Sequence, residues 1–71
     1  MIEKQCAQEI CELALEAVSK LTQALNISSG RCSEEEYARI KKGVGLSIGK
    51  IQTDLLDFIY IEYPELDDLN D

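Results

Sequence analysis

A chain of 71 residues holds one small domain at most. With 45% hydrophobic and 30% charged residues its composition is globular, which excludes a chain too polar to fold. Fourteen acids against seven bases leave a net charge of -7, so neither nucleic acid nor an anionic membrane is expected as a partner. The sequence has no histidine, and so lacks the commonest general base and the commonest metal ligand.

The first residues, Met1-Ile2-Glu3-Lys4, lack the long apolar core of a signal peptide, and charges interrupt every apolar run before it reaches membrane-spanning length. A cytoplasmic protein is expected. Residues 2–26 contain no proline or glycine and are rich in Ala, Leu, Glu and Gln, which predicts a first helix. Glu9, Glu12 and Glu16 mark its polar side, while Ile2, Cys6, Ile10, Leu13, Ala14, Ala17, Leu21, Ala24 and Leu25 mark the apolar one. Cys11, Leu15 and Val18 widen that arc beyond what one partner helix covers, so a second contact is expected on that flank. The three cysteines, Cys6, Cys11 and Cys32, are an odd set. Five residues apart on a helix, Cys6 and Cys11 point roughly 140° away from each other. They are expected to stay reduced and to act as small apolar side chains.

A loop is expected at 27–32, with its turn at Gly30. Ser33 then opens a second helix over 33–63. Ser33 and Glu36 have capping-box spacing, and Glu34, Glu35 and Glu36 suit the positive end of the helix dipole. Pro64 ends it. Gly43-Val44-Gly45-Leu46-Ser47-Ile48-Gly49 alternates with period two and has an alternative reading as a short strand. The helical phase nevertheless runs on through Tyr37, Ile40, Val44, Ile48, Ile51, Leu55 and Phe58, and a lone strand would have no partner, so a helix is predicted.

Beside this stripe lies another, of Ala38, Gly45, Gly49, Leu56, Tyr60 and Tyr63. Gly45 and Gly49, four apart, either admit a second backbone at close range or make room for a bulky side chain of the first helix. The expected fold is all-α: an antiparallel two-helix hairpin that dimerises into a four-helix bundle. Cys11, Leu15, Val18, Ala38, Gly45, Gly49 and Leu56 are its expected helix-packing or dimer contacts.

Catalysis has little to rest on. No nucleophile stands beside a base, and Gly43-x-Gly45-x-x-x-Gly49 has the wrong spacing for a dinucleotide fingerprint. No cofactor and no metal are expected. Arg39, Lys42 and Lys50 read as a solvated face. The charge is uneven, with four acids and no base in residues 64–71. This segment is either a solubilising tail or an arm for a basic protein partner, with Leu66 and Leu69 as apolar anchors. Tyr60, Tyr63, Glu65, Asp67 and Asp68 are then the expected partner-binding residues.

Asp57-Phe58-Ile59-Tyr60-Ile61-Glu62-Tyr63-Pro64, followed by acids, resembles the tyrosine-rich acidic segment of bacterial nuclease-toxin immunity proteins. The likeness covers eight residues; the tyrosines here are not adjacent, and two long helices stand where that family has four short ones. The leading expectation is a small non-enzymatic interaction module working as a homodimer. The alternative is an acidic inhibitor, of the immunity type, that masks a basic target such as a nuclease toxin or DNA-binding protein.

Overall fold

A computed structural model describes residues 2–70, with side chains through residue 67. The described residues are helical and contain no strand, in the order α1 (Lys4–Ser28), α2 (Glu34–Lys50), a π-helical turn (Ile51–Leu56), α3 (Asp57–Glu62) and a 3-10 helix (Pro64–Asn70). The molecule measures 45 × 19 × 16 Å, and the chain reverses so that Tyr63 meets Ile2.

Each boundary has a local cause. α1 extends two residues past the expected stop and closes at Ser29, whose N–H donates to the Leu25 carbonyl. Gly30 makes the turn at φ 78°, the left-handed region where a side chain is disfavoured. Ser33 caps α2 as its sequence predicts. Its hydroxyl accepts from the Glu36 N–H at 3.1 Å, and the Glu36 carboxylate accepts from the Ser33 N–H at 3.0 Å. Tyr63 ends α3 outside the helical region (φ -133°, ψ 75°), in keeping with the clash that disfavours helix before a proline. Gly43 to Gly49 is α-helix throughout, which removes the strand reading.

The π turn is the feature the periodicity does not contain. The Asp57 N–H reaches back five residues to the Gln52 carbonyl, and the Gln52 amide donates to the Asp57 carboxylate across the same step at 3.1 Å. Thr53 donates to the Gly49 carbonyl at 2.9 Å. Such a turn carries one residue more than an α-helical turn, so everything after it is rotated by about 100° against the phase before it. Val44 is therefore buried ahead of the turn, while Leu56 and Ile59, not Phe58, are buried after it.

This corrects the two-stripe expectation. Apart from exposed Ile40, the stripe from Tyr37 holds only as far as the turn, and Phe58 ends up exposed. The second stripe splits in the opposite sense: Leu56 joins the core, with Tyr60 and Tyr63 packed against it, whereas Ala38, Gly45 and Gly49 are exposed.

The core consists of Ala7, Cys11 and Ala14 from α1 against Leu56, Ile59 and Leu66, with Val44 buried further along. The buried line on α1 is thus made of small side chains, which let the second helix approach closely. Leu13, expected on the covered face, is 65% exposed, and Cys6 and Ala17 are exposed beside it. Cys11, expected on the spare flank, is 1% exposed. Among the described residues no helix is long and apolar enough to cross a membrane.

Candidate interaction surface

Two regions of the hairpin carry the residues that the sequence singles out. The first is the end where the two termini of the described chain meet. Tyr63 donates from its hydroxyl to the Ile2 carbonyl at 2.7 Å, and Lys4 lies 3.9 Å from Glu65. Both charged side chains are more than half exposed, so this ion pair contributes little to stability. Leu66 is 6% exposed and sits in the core cluster. The 3-10 turn, opened by the Leu66 N–H to Tyr63 carbonyl bond at 3.0 Å, folds it inward.

Two expectations change here. Leu66 is an internal anchor and is not available to a partner, and Tyr60 and Tyr63 are half-buried in the chain's own packing. Glu65 and Asp67 stay exposed, next to exposed Glu62. The side chains of Asp68 and Leu69 lie outside the described residues.

Tyr60 also reaches the buried Cys11. Burial raises the Cys11 thiol above its usual value; the hydrogen bond with Tyr60 opposes that rise, and nearby Glu12 adds to it. All three cysteines are free: Cys6 is exposed, Cys32 is half-buried, and the Cys32 thiol donates to the Ser28 carbonyl at 3.4 Å.

The second region is the long flank of the hairpin. Cys11 and Leu56 are contacts within the chain, so neither is open to a second copy. Leu15 and Val18 are half-buried. Gly45 and Gly49 face open space: a Cβ built on either meets nothing within 4 Å. The reading in which these glycines accommodate a side chain of the first helix is therefore removed.

Among the described residues, the large apolar ones left exposed are Leu13, Ile27 at 63%, Ile40, Leu46 at 64%, Phe58 and Ile61. The sequence pattern gives Leu13 an apolar surround but places it on the covered side. Its exposure follows from which part of a broad arc the second helix chose. Ala7 and Ile59, both fully buried, are the core positions that sequence reasoning missed. Ala7 is too small to stand out in a hydropathy pattern, and Ile59 is in phase only once the π turn is known.

Among the described residues no three His, Cys, Asp or Glu side chains converge as metal ligands would. Compared with family models, with curated proteins and with solved structures, the chain matches none.

Proposed function

We propose that this chain is a small, non-enzymatic helical interaction module that works in the cytoplasm as a homodimer, two hairpins packing into a four-helix bundle. The observation that carries the reading is the imbalance between core and surface. The buried set includes two alanines and a cysteine, while Leu13, Ile27, Leu46 and others are left in water. A domain this small seldom has a core sufficient by itself and gains most from a second copy. The free thiols suit a reducing compartment.

Absolute mass by light scattering after size exclusion, across a dilution series, tests the reading. A species of twice 8.0 kDa that falls to a single chain only on dilution supports it. A helical monomer at every concentration overturns it.

Exposed Glu65 and Asp67 favour a second reading, an inhibitor that docks on a basic protein. Buried Leu66 holds the 3-10 turn in place, so exposed Glu65 and Asp67 are presented from a fixed backbone, and ordering them on binding would cost little entropy. Such binding would weaken steeply with salt and on Glu65→Lys. Binding to cationic proteins that is indifferent to both removes it.

A further inference from the structure

We propose that the second helix is a register switch. The π turn gives up its extra residue, the chain after it continues as ordinary α-helix, and Leu55 and Phe58 take the places of Leu56 and Ile59 in the core. The inference concerns a single hairpin and does not rest on the homodimer reading.

The sequence carries both registers. Ahead of the turn the packed line runs through buried Val44 and half-buried Ile48 and Ile51, in steps of four and three. From Ile51 the same steps lead to Leu55 and Phe58, whereas the π turn takes a step of five to Leu56 and goes on to Ile59 and Tyr63. The two continuations differ by one residue. Relaxing the turn therefore puts a leucine where a leucine was, and a phenylalanine where an isoleucine was. Leu55 already lies half-buried against the core and Phe58 is 45% exposed, so each has apolar surface left to cover.

Three contacts favour the observed register. The Gln52 amide meets the Asp57 carboxylate at 3.1 Å, between two exposed side chains. Five residues apart on an α-helix they would point about 140° from each other, so this bond belongs to the π turn alone. At the far end Tyr63 donates to the Ile2 carbonyl and Leu66 is buried. In the α register Glu62 stands in the place of Tyr63, and both of those contacts are lost. The last turn thus decides between two cores of similar apolar content.

The switch changes what the hairpin displays. The chain beyond the turn advances by about 1.5 Å and rotates by about 100°. Tyr60 then takes the place now held by Ile61, which is 79% exposed, and Leu66 leaves the core cluster. The tyrosines that the sequence offers to a partner are covered in one register and uncovered in the other.

Backbone amide relaxation dispersion on the full chain tests this, because helix register shifts fall in the microsecond-to-millisecond range. Exchange is expected across residues 51–67, with a minor state whose chemical shifts stay helical through 57–62. Tyr63→Phe removes one of the three contacts and should raise the minor population about fivefold. Adding Phe58→Gln in that background removes the side chain that fills the second core, and should lower the minor population at least about tenfold. Phe58 is exposed in the observed register, so the main fold is expected to tolerate the change. Absence of exchange in both wild type and Tyr63→Phe overturns the proposal. A minor state with random-coil shifts, which marks a fraying end, also overturns it, and so does a minor population that Phe58→Gln leaves unchanged.

Discussion

The Tyr63 hydroxyl donates to the Ile2 carbonyl at 2.7 Å across 61 positions of sequence, joining the segment before α1 to the last residue before Pro64. It is a side-chain bond between the two ends of the hairpin, made where both residues are half-buried. Tyr63→Phe keeps the ring and removes the donor, and should cost about 1 kcal/mol, lowering the melting temperature by about 4–8 °C. A thermal melt identical to wild type would show that the carbonyl is equally well served by water.

The tail behaves as part of the core. Leu66→Ala is expected to destabilise the fold by about 2–3 kcal/mol, because it leaves a cavity in the core cluster, whereas Glu65→Ala next to it should be nearly neutral. Urea titration of both variants checks this. Equal, small effects would mean that the segment after Pro64 is merely solvated.

The start of α2 gives a pH dependence. The Ser33 N–H, and after it the Ser33 hydroxyl, hold the Glu36 carboxyl below its ordinary 4.5. A carboxyl lowered by folding stabilises the native state above its unfolded value, and the contribution disappears as pH falls through the lower folded value. Ser33→Ala, which removes the hydroxyl that accepts from the Glu36 N–H, should lower the melting temperature at neutral pH. The gap in melting temperature between wild type and Glu36→Ala should narrow as pH drops below 4.5. A gap that is constant from neutral to acid pH would remove the charged cap from the account.

Deleting Thr53 takes the extra residue out of the π turn. The helix should then close to uninterrupted α geometry with Val44, Leu56 and Ile59 still facing α1, so the variant should fold with a melting temperature close to wild type. Deleting Lys42, in regular helix, turns the capped first turn and Tyr37 away from the packed side and should be far more damaging. Circular dichroism melts of the two deletions compare them directly, and equal damage would contradict the phase argument.

The parts of the fold legible in the sequence are those fixed by local chemistry. Ser33 with Glu36, the Gly30 turn and Pro64 each act over three or four residues, and each stands where the pattern places it. The rotational setting of the helices was not legible, for two physical reasons. A π turn adds a residue without any change in composition, so counting in threes and fours carries the stripe on to Phe58 when Ile59 is the buried one. On α1 the apolar arc is wide, and the second helix packs on a line of small members, Ala7, Cys11 and Ala14, not on the bulky Leu13. For the candidate surface the consequence is direct. Leu66, offered by the sequence as an anchor for a partner, is used inside the chain; Cys11 and Leu56, offered as helix-packing or dimer contacts, pack within the hairpin; and Leu13, assigned to the inside, faces out.

The core cluster also sets an order of events during synthesis. Ala7, Cys11 and Ala14 leave the ribosome about 50 residues ahead of Leu56, Ile59 and Leu66, the side chains that complete their cluster. At about 5–20 residues per second, that is a delay of about 2.5–10 s in which α1 has its broad apolar arc in water. A lone helix of 25 residues gains little stability from propensity alone, so through this interval the nascent chain is a sticky, half-formed amphipathic segment. Closure waits for Leu66, which makes the last apolar residue of the core the one that ends the exposure.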